Sequence, residues 1–289
     1  MGERGRGGGA GRTGTLARVA GRSGLRVAEI ALAVAATLAA LQWAFRFSIF
    51  DPGFWSAFAL PAQGQGLLVR GLVGTLQFTA IVIPTGLAFG FFWGWCRMTR
   101  WRVLSWPSTV IVEFLRGVPP VILVIFAYFF GTAFIPRGLD PFAGAVLIAA
   151  LAVGLHTGAY QAEIFRAGFQ SVPRGQVEAG QALGMSPWQV MRHVVLAQAM
   201  RLSLPPLGNE FSNVIKDTAL LAAIGATELF GIGLEFNSRA VTEPGHASWL
   251  FLVWLTIAMV YFVLNFAVTR GVRVLERRVR VPGLEGAAA

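Results

Sequence analysis

The chain is poor in the side chains that carry covalent and redox chemistry. Its 289 residues include one cysteine, Cys96, one lysine, Lys216, and three histidines, and only 13% of them are charged. A single cysteine excludes an internal disulfide, and at the end of an apolar run Cys96 reads as a small buried hydrophobe. The histidines have no second ligand at metal spacing, and no nucleophile stands beside a base. The sequence therefore points to no metal site, no cofactor held by this chain and no enzyme active site. Lys216 follows Val214 and Ile215, not the glycine-rich turn that a phosphate-binding loop needs. If ATP drives this protein, another polypeptide hydrolyses it.

What the chain has in excess is apolar surface. Hydrophobic residues make up 55% of it, whereas a soluble domain is roughly a quarter charged. Uncharged runs cover Gly71 to Cys96, Gly117 to Pro136, Pro141 to Ala162 and Pro244 to Thr269, with a shorter one from Ile30 to Phe45. The long runs approach or exceed the ~20 residues that cross a bilayer as a helix. The net charge of +10 does not indicate nucleic acid, because the arginines are not gathered in one patch. They cluster before the first run (Arg4 to Arg26), after the second (Arg97, Arg100, Arg102), between Arg166 and Arg201, and between Arg270 and Arg280. These are alternate ends of successive spans, the positive-inside pattern of a multi-pass protein with both termini cytoplasmic. The lipid bilayer is its first partner.

The expected fold is all-α and polytopic, with about six transmembrane helices near Val27–Phe47, Leu67–Cys96, Leu104–Phe130, Pro141–Gln161, Pro205–Leu229 and Trp249–Thr269. The fifth is interrupted by Glu210, Lys216 and Asp217. Residues 1–24, rich in Gly and Arg, are expected to form a disordered cytoplasmic tail, 25–66 an additional first helix with an external segment, and 279–289 a second tail. The basic amino terminus lacks a convincing small-residue cleavage site, which favours an uncleaved first span.

Between the fourth and fifth spans lies a cytoplasmic segment, 163–203. Helix-forming residues from Arg174 to Leu183 end at Gly184, suited to the left-handed position after a helix. Ser186, Pro187 and Gln189 then supply a cap, a first-turn proline and a capping box. Two short helices joined by a tight turn are expected. Ala179, Gly180 and Ala182 make the first one small-faced, with Glu178 at the rim. Such a hairpin is either an amphipathic interfacial loop or a docking element for a cytosolic partner.

Charged residues at membrane depth are functional candidates by default. Glu210, Asn213 and Asp217 are spaced i, i+3 and i+7 on one helical face, which can line a polar cavity or pair with basic residues to knit helices. Asp217 could meet an α-ammonium group, with Asn213 hydrogen-bonding beside it. Lys216 points about 100° away on a helix, which directs it to another span or subunit. Glu113 and Arg116, at i, i+3, form a local pair or a gate, and Pro119 and Pro120 beyond them interrupt the helix ladder. His156 lies on the Gly-rich fourth span and reads as a packed, hydrogen-bonded residue.

Residues 178 to 197 resemble the EAA motif of importer permeases of the ATP-binding-cassette family. Glu178, Ala179, Gly184 and Leu196 match the pattern, while Gly180, Val194 and Ala197 replace its Ala, Ile and Pro. VEFLRGVPP (112–120), SVPRGQVEAGQALG (171–184) and LPPLGNEFSNVIKDTALL (204–221) are similar to the polar-amino-acid branch of that family. The similarity covers roughly Gly66 to Arg278, so that 67–278 is the permease domain and the first helix an addition to a five-span core. The resemblance implies that Glu178, Ala179, Gly180, Gly184, Met185 and Ser186 form a coupling helix seated on an ATPase subunit. It also implies a location in the bacterial cytoplasmic membrane, a dimer of ATPase subunits, a second permease copy or a homologous permease, and an extracytoplasmic solute-binding protein. The substrate would be a polar amino acid or related zwitterion touching Asn213 and Asp217. A secondary transporter or channel driven by ion gradients is the alternative, and a non-transporting scaffold a third reading. Both account for the spans but not for the hairpin with its flanking motifs.

Overall fold

Glycines repeated at every fourth position decide how the two longest inner helices meet. The structure, a computed structural model, describes residues 28–44, 47–59, 66–135, 138, 140–242 and 248–279. Its helices are α1 (Ala28–Ala44), α2 (Pro52–Phe58), α3 (Leu67–Cys96), α4 (Arg102–Gly117), α5 (Pro120–Gly131) and α6 (Pro141–Gln170). There follow α7 (Arg174–Ala182), α8 (Pro187–Val190), α9 (Leu196–Asp217), α10 (Leu229–Thr242) and α11 (Trp249–Val279). No strand occurs among the described residues.

Gly86, Gly90 and Gly94 fall on one face of α3, because i and i+4 side chains stack along a helix. They lie against Gly154, Gly158 and Ala162 of α6, in the same order, so the two helices run parallel. A Cβ at Gly90 would stand 2.7 Å from Gln161 Cβ and 2.9 Å from the Gly158 carbonyl. Within a bilayer apolar surface gains little from leaving lipid, and close backbone approach through small residues supplies the van der Waals contact instead. Gln161 is fully buried in this seam with neither amide atom hydrogen-bonded. Parallel neighbours need a return path, which α4 and α5 provide.

Beyond the end of that seam, α9 packs antiparallel to α6, with Gly168 against Ala199 and Ser203. On the outer side of α9 lies α11, where Ser212 Oγ and Thr269 Oγ1 share a hydrogen bond of 3.0 Å. At the end remote from α7, α2 closes an aromatic core of Phe54, Phe58, Phe236 and Trp249. Asp51 caps α2 through Oδ1, accepting from Gly53 N at 2.9 Å, and accepts from Trp249 Nε1 through Oδ2 at 2.8 Å, tying α2 to α11.

The spans depart from expectation in three places. The third is not one rod: α4 and α5 meet at 104°, because Pro119 and Pro120 withhold two backbone donors just where α4 ends. The fourth continues past Gln161 to Gln170. The fifth does not run from Pro205 to Leu229. Its helix starts earlier, ends at Asp217, tightens into a 3-10 turn over Thr218–Ile224 and breaks at Gly225, φ +78°, before α10 sets off at 46°. Of the expected first span, Val27–Phe47, the described helix covers Ala28–Ala44, and residues 27, 45 and 46 lie outside the described ones. Among the described residues, three helices are long and apolar enough to cross a membrane, or five if each bent pair is one span. The chain is an all-α, multi-pass membrane protein. The predicted tails, 1–24 and most of 279–289, lie outside the described residues.

The α3–α6 seam gives a direct test. Gly90→Ala is expected to lower stability by about 1–3 kcal/mol through overpacking, whereas Gly271→Ala, with nothing within 4 Å of its added Cβ, is expected to be neutral. Thermal unfolding of the detergent-solubilised protein measures both; equal midpoints for the two variants would contradict the seam.

Candidate functional site

The hairpin that follows α6 is built by its own sequence. At the end of α7, Gly184 takes φ +82° and its N–H donates to the Gln181 carbonyl at 2.9 Å, while Met185 N donates to the Gly180 carbonyl at 3.1 Å. These are the paired bonds of a Schellman cap, which need the left-handed residue. Ser186 then caps α8. Its Oγ accepts from Gln189 N at 3.3 Å and its own N–H donates to Gln189 Oε1 at 2.8 Å, the expected capping box. The second arm is not a separate short helix, however. It passes through a π turn over Met191–Val195 into α9, so the hairpin is the leading end of a long helix.

Packing divides the hairpin into two faces. Gly180 is buried, and a Cβ there would stand 3.2 Å from Val190 Cγ2, so glycine lets α7 settle closely on α8. Val190 and Val195 join Phe165 and Phe169 in one core with Met185 and Val194 packed against it. Glu178, Ala179, Gly184 and Ser186 are exposed, as are Leu183 at 84% and Trp188 at 65%. An exposed leucine and tryptophan on a helical corner suit a docking surface or an interfacial loop, and both readings keep them out of the core.

Behind the hairpin, charges tie three helices together. Arg97, whose side chain is 9% exposed, donates to Glu163 of α6 at 2.8 Å and to Glu113 of α4 at 3.0 Å. Glu113 and Arg116 pair locally at 3.4 Å, and Arg166 binds Glu163 and Gln170. The Glu113–Arg116 pair is thus one edge of a network centred on Arg97.

Further along α6 and α9 an open cleft of about 400 Å³ is lined by His156, Tyr160, Glu210, Asn213, Lys216 and Asp217. The i, i+3, i+7 spacing does place Glu210, Asn213 and Asp217 together, and Asn213 Nδ2 donates to Glu210 Oε2 at 3.2 Å. Lys216 lines the same cleft and is not directed elsewhere. None of Glu210, Lys216 and Asp217 forms an ion pair among the described residues. His156 Nδ1 donates to the Leu115 carbonyl at 2.9 Å and the Tyr160 hydroxyl to the Arg116 carbonyl at 3.5 Å. Both side chains thereby hold the last carbonyls of α4, which have no helical partner. The Arg116 guanidinium lies 5.3 Å over the Tyr160 ring. A second cleft of about 420 Å³ shares Tyr160 and Glu210 with the first and continues past Arg116 and Glu163 to Ser171, beside the hairpin. The two form a path along one side of α6, polar around His156, Asn213 and Asp217 and largely apolar past Ile164, Leu202 and Pro206, without a nucleophile and base in contact among the lining residues.

This arrangement has relatives. The family described as binding-protein-dependent transport system inner membrane component matches residues 86–281. The chain belongs to that family. The permease is 35% identical over 233 residues to the glutamine transport system permease protein GlnP of Escherichia coli K12, covering 78% of this chain and 98% of the relative. It is 33% identical over 213 residues to the L-cystine transport system permease protein TcyB of Bacillus subtilis, covering 74% and 86%. Among solved structures it resembles an amino acid ABC transporter with histidines, at TM-score 0.61 and 30% identity over 73% of this chain and 94% of that one. The inward-facing MetNI methionine ABC transporter, at TM-score 0.60 and 22% identity over 74% of this chain and 97% of that one, shares the fold. Membership favours the importer reading over a gradient-driven transporter or channel.

Arg97, Tyr160, Glu163 and Glu228 were not singled out by sequence reasoning. Arg97 and Glu163 are the first charges after the second and fourth apolar runs, a signal that could have drawn attention to them. Glu228 is fully buried, accepts from Phe230 N and the Tyr261 hydroxyl at 2.9 Å each, and caps α10. No spacing rule in the sequence announces that role.

Because Arg97 bridges two other helices, Arg97→Met is expected to cost about 2 kcal/mol in lost charged hydrogen bonds. Arg116→Met removes one longer ion pair and the contact with the Tyr160 ring, and should cost about 1 kcal/mol. Unfolding midpoints in the reverse order would contradict the network.

Proposed function

We propose that the permease moves a polar amino acid or related small zwitterion across the bacterial cytoplasmic membrane, driven by ATP hydrolysis on a partner. The observation that carries the reading is the cleft between α6 and α9. It presents two carboxylates, an amide and an ammonium group at membrane depth, none of them in an ion pair among the described residues. Lipid would not tolerate such groups, and a zwitterion satisfies both signs of charge. Asp217, with Glu210, receives the α-ammonium group, Asn213 hydrogen-bonds beside it, and Lys216 supplies the cation for the α-carboxylate. Names of relatives that include glutamine and cystine transport support the substrate class.

The exposed corner of Glu178, Ala179, Leu183 and Trp188 docks on an ATPase subunit, two of which serve a pair of permeases: two copies of this chain, or this chain and a homologue. A solute-binding protein delivers substrate at the opposite end. The lone lysine, outside any phosphate-binding loop, supports hydrolysis on a separate chain and no cofactor on this one. The arginine clusters support a cytoplasmic hairpin and cytoplasmic termini. Substrate-loaded binding protein and ATP must favour different states for transport to be coupled.

Two variants test this reading in the reconstituted complex. Asp217→Asn removes a charge without changing shape, and should weaken substrate stimulation of ATPase activity roughly ten-fold or more; unchanged stimulation would exclude Asp217 from the site. Gly184→Val places a β-branched residue at φ +82° where space is open, so the strain of about 1–2 kcal/mol is confined to the turn. The ATPase should then fail to co-purify while the permease stays folded, and Gly184→Asn should retain it. Full retention by the valine variant would remove the hairpin from coupling.

A further inference from the structure

Helix α4 carries two parallel stripes that transport leaves unused. Arg102, Ser105 and Thr109 recur at i, i+3 and i+7, and Val103, Trp106 and Val110 repeat that spacing one residue later, so a polar stripe runs beside an apolar one. Arg97, Arg102, Val103, Ser105, Trp106 and Thr109 line an open cleft of about 690 Å³. Arg97 is already engaged by Glu113 and Glu163. Arg102 has no ion pair among the described residues, and the Ser105 hydroxyl has no hydrogen bond there. Thr109 is less available, since its hydroxyl donates to the Ser105 carbonyl at 2.8 Å. The apolar stripe is bare, with Val103 84%, Trp106 70% and Val110 48% exposed, and Trp101 beside it at 73%.

Position and chemistry together select the occupant. The cleft lies just beyond the end of α3, whose 30 residues span about 45 Å and carry it past a hydrocarbon core of roughly 30 Å. Tryptophans and arginines at that level are headgroup-depth residues. A guanidinium and a hydroxyl suit a phosphate diester, and the adjoining bare stripe suits an acyl chain, which free phosphate lacks. A choline headgroup would bring a second cation toward Arg100 and Arg102, whereas an uncharged glycerol headgroup leaves the complex neutral. We propose that this cleft seats an anionic phospholipid of the hairpin-side leaflet, its phosphate on Arg102 and Ser105 and one acyl chain along Val103, Trp106 and Val110. The polar stripe ends one turn later at Glu113, so the lipid and the Arg97 network share a helix.

The test uses the permease assembled with its ATPase in nanodiscs of phosphatidylglycerol or of phosphatidylcholine, followed by native mass spectrometry of retained lipid. Phosphatidylglycerol should be retained in preference to phosphatidylcholine. Arg102→Ala should reduce that retention about five-fold, and Arg102→Lys should keep most of it, with gel filtration confirming an intact complex. Glycerol phosphate in excess should not displace the lipid. Equal retention of the two lipids by the unaltered complex, an Arg102→Ala variant that holds phosphatidylglycerol as before, or displacement by glycerol phosphate each overturns the proposal. So does a Trp106→Ala variant that separates the permease pair with no selective lipid bound, which would assign the stripe to a second copy of this chain.

Discussion

The close approach of α3 to α6 is the constraint on which the remaining architecture depends. Gly86, Gly90 and Gly94 against Gly154, Gly158 and Ala162 bring two parallel helices into backbone contact along three turns. Parallel packing forces the chain to return between them, and the return is the bent pair α4–α5. It also fixes the rotation of α6 about its axis. With Gly154, Thr157, Gly158 and Gln161 turned toward α3, His156, Tyr160 and Glu163 have to face the other way, toward the end of α4 and the cleft. The cleft is thus a consequence of the seam.

The same rotation explains why the ionic network and the cleft adjoin. Glu163 lies one turn beyond Tyr160 on the same face of α6, so Arg97 from α3 reaches it at the mouth of the path and links it to Glu113 of α4. His156 and Tyr160 meanwhile accept α4 from below by donating to its terminal carbonyls. One helix end is held by charge on one side and by neutral hydrogen bonds on the other. The neutral bonds lie deeper, where uncompensated charge is costly, and the ionic ones lie where water reaches part of each carboxylate.

Much of this was legible in the residues. The capped turn at Gly184 and Ser186 came out as its local chemistry requires, since a left-handed glycine followed by Ser-Pro-x-Gln leaves little freedom. The i, i+3, i+7 face of Glu210, Asn213 and Asp217 was also readable, because a regular helix carries spacing into space unchanged. What escaped was every feature set by a non-local partner. Pro119 and Pro120 announced a break but not its 104°, which depends on how α5 packs on α6. Thr218–Ile224 is apolar enough to continue a span, and only the turn at Gly225 with the buried Glu228 cap diverts it. The π turn at Met191–Val195 has no composition signal at all, and it joins what looked like a short helix to a long one.

A carrier with two states needs parts that keep their shape and places that can yield. The α3–α6 seam belongs to the first kind, since packed small residues permit no gradual sliding. The yielding places are those where the helical ladder is already interrupted, among them Val118–Pro119, the π turn, Pro205–Pro206 and Gly225. The π turn and Gly225 flank the cleft helix α9, Pro205–Pro206 lie inside it ahead of Glu210, and Val118–Pro119 lies at the α4 carbonyls that His156 and Tyr160 hold. On the proposed coupling, a push on the hairpin enters α9 through the π turn and reaches Glu210, Asn213 and Asp217 through the Pro205–Pro206 segment. Displacement of Glu210 against Tyr160 opens or closes the junction that the two clefts share at those residues. Under the proposed function, access to the cleft and the position of the hairpin are one coordinate, which is the mechanical condition for ATP on one subunit to drive movement through another.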